Sequence, residues 1–412
     1  MTVSKTAILK TIFSRRMLVA FIMGFVGGLP LLLTASLLQA WMTKAGVDLT
    51  VIGLVALVGL PYTLKFLWAP LMDRFTLPLF GRRRGWLLLS QVLLIVSIMA
   101  LGQTDPGRAP WLVALAAIAV AFWSASQDVV IDAYRREDLA DNELGLGSSL
   151  YVCGYRIGMA LASGGGFILA DYLPFSMVYL IMALCLLPGL LTTLLTPEPA
   201  APMGTPSTLA EAVVDPFREY FHRSGALWML AFILLYKIGD TMASAMTTPF
   251  YLELGFSMTQ IGAIVKGFGL GAIIAGGLIG GVIMLRLGIN RSLWVFGALQ
   301  AVSTAGFALL AHLGASLVGL TAVIAFENLT TGMGTSAYAA FMASITHRKF
   351  TATQYALLTS LMGIPRVVAS AGTGYMAKSM GWSPFFLFCT FIALPGMLLL
   401  LKFAPWRTET KN

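Results

Sequence analysis

The stretch WLVALAAIAVAFWSASQDVVIDAYRR, residues 111–136, decides the class of fold. From Trp111 it is apolar for long enough to cross a bilayer, and it ends on the basic pair Arg135 and Arg136. Asp128 therefore falls inside a membrane span, and Asp132 near its mouth. A carboxylate in hydrocarbon costs roughly 2.5–3.5 kcal/mol on insertion scales, so such residues are rare unless they are used. Ser124, Asp128 and Asp132 recur every fourth position, which puts them on one face of a helix. That face is expected to look into protein rather than lipid.

The rest of the chain agrees. Of 412 residues, 58% are hydrophobic and 11% charged, and the mean hydropathy is +0.83. No soluble domain could cover a core with so little polar surface. Spans need about 20 apolar residues each, and the sequence divides into twelve: about 17–43, 49–71, 85–102, 111–134, 144–170, 175–196, 226–253, 258–286, 290–313, 316–345, 352–377 and 382–403. The expected class is an all-α polytopic membrane protein. The apolar run after Arg15 and Arg16 is too long for a signal peptide and reads as a retained first span. Cys153, Cys185 and Cys389 lie in apolar segments without metal-ligand spacing, so no metal or disulfide is expected.

The placement of Lys and Arg sets the topology. Loops expected outside hold only Lys44, Arg108 and Lys378, whereas the remaining loops and both tails carry the basic residues. This puts both termini in the cytoplasm. It also explains the net charge of +9 without a nucleic-acid partner. The Pro-rich stretch after Thr196 reads as a solvated linker with one short surface helix from Leu209 to His222. The expected division is residues 1–196, a linker 197–225, and residues 226–412. The two parts look like a repeat: Asp128 matches Glu327–Asn328, Arg156 matches Arg366, and the loop with Asp73, Arg82, Arg83 and Arg84 has a worn counterpart in Gly281, Arg286, Gly288 and Arg291. Two six-span halves with charges inside them outline a major facilitator transporter.

Each intramembrane charge also has a structural reading. Asp128 could form a fixed pair with Arg156 on the neighbouring span. Lys237 and Asp240, three apart, could neutralise each other. Lys65 lies near a span end and could snorkel. Arg366 follows Gly363-Ile364-Pro365, an expected kink. Gly154 and Gly158, and Gly267 and Gly271, allow close helix contact; they are read either as plain packing or as a sliding contact between the halves. No Gly-rich Lys-Ser/Thr phosphate loop occurs. The histidines fall in or near loops, so acids must carry any proton chemistry.

Gly27-Gly28-Leu29-Pro30, Leu38-Gln39-Ala40-Trp41-Met42, Lys65 to Arg74, Gly81 to Trp86, Ser124 to Asp128, Gly154 to Met159, Leu235 to Asp240, Phe326 to Leu329 and Gly332 to Ala337 together resemble the bacterial anhydromuropeptide permeases. The resemblance covers all but the tails. It implies a proton-coupled importer carrying N-acetylglucosaminyl-anhydro-N-acetylmuramyl peptides from periplasm to cytoplasm, for cell-wall recycling and, in some bacteria, β-lactamase induction. It implies a multi-pass protein of the inner membrane, working as a monomer on the proton gradient without a cofactor. On this reading Asp128, Glu327 and Asp240 are proton-coupling candidates. Arg156, Lys237 and Arg366 suit substrate carboxylates; Gln39, Gln127 and Asn328 suit sugar hydroxyls and acetamido groups. Asp73, Arg82, Arg83, Arg84 and Asp132 are candidates for a conformational gate, and Trp41 and Tyr62 could stack on a sugar face. The competing readings are a related facilitator for an acetyl-CoA-like or siderophore-like solute, and a membrane enzyme using Asp128 and Asp132 as a magnesium-diphosphate site.

Overall fold

The computed structural model describes residues 13–47, 55–78, 80–200, 208–223, 225–257, 260–347, 350–362, 373–404 and 406. Among them, nine helices are long and apolar enough to cross a membrane. They are α1 (Arg15–Met42), α3 (Arg82–Gly102), α4 (Pro110–Asp138), α5 (Leu144–Tyr172), α6 (Phe175–Leu195), α7 (Ala226–Thr247), Ile261–Leu313, α10 (Leu317–Ile345) and α12 (Trp382–Phe403).

The difference from the twelve expected spans has three physical sources. The second span, α2 (Leu57–Leu67), is broken into short 3-10 and α turns, and Ala69–Arg74 continues it. Pro61 and Pro70 start new helical segments because neither can donate the backbone bond that would continue the old one. The stretch Ile261–Leu313 is two spans, joined at Gly288, whose φ of 74° breaks the helical path. We call them α8 (residues 261–287) and α9 (residues 289–313). Contacts with α10 give their directions: Gly276 meets Leu329 and Gly280 meets Met333, whereas Gln300 bonds Thr331 and Ser303 bonds Glu327. One arm runs with α10 and the other against it, so the arms are antiparallel. The eleventh span begins as α11 (Thr351–Leu361) and ends as Thr373–Met380.

Backbones approach closely where glycines meet. A Cβ on Gly24 or Gly28 would sit 2.0 Å from the carbonyl oxygen of Tyr151 or Tyr155, and one on Gly154 or Gly158 would strike Phe21 or Phe25. These glycines seat α1 against α5. Gly276 and Gly332 do the same for α8 and α10. Gly154 and Gly158 are therefore packing residues within the first six spans, not a contact between N- and C-terminal spans. A Cβ on Gly271 would meet nothing within 4 Å, and one on Gly267 only the Gly262 carbonyl at 3.7 Å. The glycines that do join the two sets of spans are Gly145, against Met284, and Gly281, against Ser149.

The linker is fastened at both ends. Tyr134 donates to the Pro197 carbonyl at 2.9 Å, and Glu198 accepts from the Arg83 and Arg84 amides at 2.7 and 2.9 Å, capping the start of α3. The linker helix (Leu209–His222) starts on Thr208, whose side chain accepts from Glu211 N–H. Gln354 of α11 donates to Glu219 and to the Pro216 carbonyl.

The close α1–α5 contact makes a prediction. Gly28→Ala should lower the thermal midpoint in detergent by the equivalent of about 1–3 kcal/mol, the usual range for overpacking. Gly271→Ala, with no neighbour to meet, should not. Equal shifts in the two variants would contradict this account of the packing.

Candidate functional site

The first polar cluster lies between α1, α2, α4 and α5. Asp128 and Gln127 are buried on α4. The Asp128 carboxylate lies against Gly27, whose missing side chain makes room: a Cβ there would be 3.1 Å from Asp128 Oδ1. Gln127 Nε2 donates to the Val26 carbonyl at 3.1 Å, tying α4 to α1. Around this bond, Asp128 Oδ1 and Gln127 Oε1 are buried without a hydrogen-bond partner, and the buried hydroxyls of Tyr62 and Ser124 lie beside one another and near Thr34. Buried polar atoms are rarely left unpartnered, because each costs about 1–3 kcal/mol. Two unpartnered acceptors next to hydroxyls suit a visiting polar partner.

The expected Asp128–Arg156 pair does not form. Tyr151 and Tyr155 of α5 turn toward Gly27 and Asp128, and the next residue, Arg156, points about 100° away around the helix. The cation whose field reaches Asp128 is Lys65. Lys65 was expected to snorkel, but it is only 7% exposed, because the break in α2 turns it inward. Asp132 was expected at a rim and is also buried, at 5% exposure. It lies 3.0 Å from Arg135 Nη2, because α4 continues to Asp138 and takes the basic pair inside the protein.

The second cluster joins α7, α9 and α10. Lys237 Nζ lies 3.2 Å from Asp240 Oδ2 and 3.1 Å from Gln300 Oε1. Gln300 donates to Thr331, and Ser303 donates to the buried carboxylate of Glu327 and meets Thr330 at 2.8 Å. Asp240 and Lys237 both reach Glu327 electrostatically. Asn328, beside Glu327, instead donates to its own helix at Ile324 and packs on Gly269. Gln39 is exposed on α1, twelve residues beyond Gly27 and so roughly 18 Å along the helix; it does not join Asp128. Trp41 stacks on Phe175 at 5.3 Å, and Tyr62 is half-buried, with its hydroxyl beside Ser124. Arg366 lies outside the described residues.

At the arginine-rich end, the gate candidates divide. Asp73 holds Arg83 at 2.7 Å and Glu137 holds Arg83 and Arg82 at 2.7 and 2.9 Å. Asp73 also accepts from the amides of Ala352 and Thr353 at 3.3 and 2.9 Å and from the Thr353 hydroxyl at 2.7 Å. It thus caps the start of α11, where the helix offers unpaired N–H groups and a positive dipole end. Arg84 takes another role: it donates to the Thr193 and Leu194 carbonyls of α6. A second contact crosses nearby, where Arg135 donates to Tyr355 OH at 2.8 Å and lies over the Tyr151 ring at 4.2 Å. Glu137, Thr353, Tyr355, Gln300 and Ser303 were not singled out in the sequence. Only Glu137, directly after the basic pair, carried a local signal.

Asp73→Ala should leave Arg83 underpaired and the start of α11 uncapped, a loss of about 3–5 kcal/mol for a broken buried pair. Hydrogen exchange at the Ala352 and Thr353 amides should rise with it; unchanged protection there would sink the capping assignment.

The Major Facilitator Superfamily family model matches residues 16–370. The anhydromuropeptide permease of Escherichia coli (strain K12) is 46% identical over 94% of this chain and 79% of its own length. The "Putative transporter AmpG 4" of Rickettsia felis is 31% identical over 94% and 96%. Among solved structures, the Escherichia coli fucose:proton symporter FucP superposes with a TM-score of 0.73 at 13% identity, over 96% of this chain and 98% of that one. The proton:xylose symporter XylE gives 0.72 at 12% identity, over 95% of each. These two likenesses show the fold. The chain is a multi-pass membrane protein that belongs to the major facilitator superfamily and, within it, to the family of the anhydromuropeptide permeases.

Proposed function

We propose that this protein imports anhydromuropeptides from the periplasm to the cytoplasm on the proton gradient, as a transporter rather than an enzyme. The observation that carries the cargo is the 46% identity, over nearly the whole chain, to a protein named as an anhydromuropeptide permease. The interior suits such a cargo. Lys65, Arg156 and Lys237 offer cations for peptide and muramyl carboxylates. Gln127 Oε1, with the Ser124 and Tyr62 hydroxyls near it, offers hydrogen bonds for hydroxyls and acetamido groups. Arg366 is assigned the same work as Lys237 on sequence grounds.

Asp128 is the main proton-coupling group on this reading, with Glu327 and Asp240 as a second acidic pair. A charge is costly there and a neutral acid is not, so a proton and a substrate can compensate one another. Residues 1–196 and 226–412 act as two bodies, joined by the linker 197–225, that rock about the site between them. Asp73, Arg82, Arg83 and Asp132 hold the arginine-rich end shut in one state. Positive-inside placement of Lys and Arg makes that end cytoplasmic, with both termini on the same side. The protein sits in the inner membrane and works as a monomer.

The test is uptake of labelled anhydromuropeptide by proteoliposomes under an imposed pH gradient. Wild-type protein should accumulate the label, and unlabelled acetyl-CoA or siderophore should not compete. Asp128→Asn should lower gradient-driven accumulation at least about tenfold, a coupling-sized effect, while counterflow exchange persists. Full accumulation by that variant would refute the coupling role; competition only by a different solute would refute the cargo.

A further inference from the structure

Four charged side chains are buried together beside the arginine-rich end: Lys65, Asp128, Asp132 and Arg135. Asp128 feels Lys65 and Asp132; Asp132 feels Arg135 and Lys65. Tyr151 links the two ends of the set. Its hydroxyl lies 3.7 Å, and Asp128 Oδ1 3.1 Å, from the same Cβ position on Gly27, while its ring carries the Arg135 guanidinium at 4.2 Å. Arg135 bonds Asp132 at 3.0 Å and, across to α11, Tyr355 at 2.8 Å. The other groups around Asp128 are uncharged hydroxyls: Tyr62 from α2, Ser124 on α4 and Tyr155 from α5. Arg156 acts on Tyr155. The set therefore holds two cations and two carboxylates, and it is balanced only while both acids are ionised.

We propose that Lys65 and Arg135 are positioning residues that convert the proton on Asp128 into release of the Arg135–Tyr355 contact. This rests on the reading of Asp128 as the proton-coupling group. When Asp128 takes a proton, Lys65 and Arg135 share Asp132 alone, and an uncompensated cation is left in a low-dielectric interior. Two events relieve it: water reaching Arg135 as α4 and α11 part, or the carboxylate of an anionic cargo entering beside Lys65. Loss of the proton restores the balance and lets the contact close again. Proton, anionic cargo and opening toward the cytoplasm are thus tied by one charge count.

The test needs no cargo. Met284, buried against Gly145 in the same interface, is replaced by Cys in a background lacking the three native cysteines. Its labelling by a membrane-impermeant maleimide is then followed in inside-out vesicles. Labelling in otherwise wild-type protein should rise about tenfold, a coupling-sized change, from alkaline to mildly acidic buffer. Asp128→Asn should label fast at both. Adding Lys65→Met to Asp128→Asn returns the set to one cation and one carboxylate, and labelling should become slow at both. Lys65→Met alone should abolish the acid-induced rise, because with that cation gone a proton on Asp128 no longer leaves a cation unpaired. If the double variant labels like Asp128→Asn, or if Lys65→Met keeps the wild-type response, the proposal is overturned. Failure of muropeptide uptake with this labelling pattern intact overturns the cargo and leaves the charge-balance inference standing.

Discussion

Charges inside this bundle have to be compensated inside it, because the surrounding hydrocarbon offers no water to do so. The structure meets that constraint with three groups of paired charges. Lys65 and Arg135 face Asp128 and Asp132; Lys237 faces Asp240 and Glu327; Arg82 and Arg83 face Asp73 and Glu137. In the third group Arg83 holds Asp73 and Glu137 at 2.7 Å each, and Arg82 holds Glu137 at 2.9 Å. The first leaves Asp128 Oδ1 without a hydrogen bond.

Geometry connects these groups to motion. Asp73 and Arg135 both reach α11, one through the amides of its first turn and the other through the Tyr355 hydroxyl. Gln354, between those two points, is held by the linker helix. The start of α11 is therefore the place where the N-terminal spans, the linker and the C-terminal spans all meet. Within each set of spans, by contrast, glycine contacts at backbone distance leave little freedom. Between the sets, the polar contacts at α11 stand beside apolar ones such as Gly145 against Met284.

Much of this was legible in the sequence. The class followed from apolar length, the linker helix from the Pro-rich stretch before it, and the burial of Asp128 from its depth in an apolar run. The proximity of Lys237 and Asp240 followed from helical spacing. Partners across helices were not legible. Arg156 was the plausible counter-charge for Asp128 by depth, yet the glycine-guided seating of α5 on α1 aims Tyr151 and Tyr155 at the acid instead. Lys65 looked like a snorkelling residue because a continuous helix was assumed, and Pro61 and Pro70 break that helix and turn it inward.

What the sequence by itself determined is how many apolar segments there are and which charges lie deep inside them. Those are local properties, set by segment length and by the position of a charge within an apolar run. Which cation serves which acid was decided only by the tertiary structure. Rotation of a helix by one residue moves a side chain by about 100°, and that rotation is set by backbone contacts between helices far apart in the chain. Arg84 and Asn328 are turned to the carbonyls of α6 and of their own helix, while Glu137 and Tyr355, unremarked in the sequence, are carried to Arg82, Arg83 and Arg135.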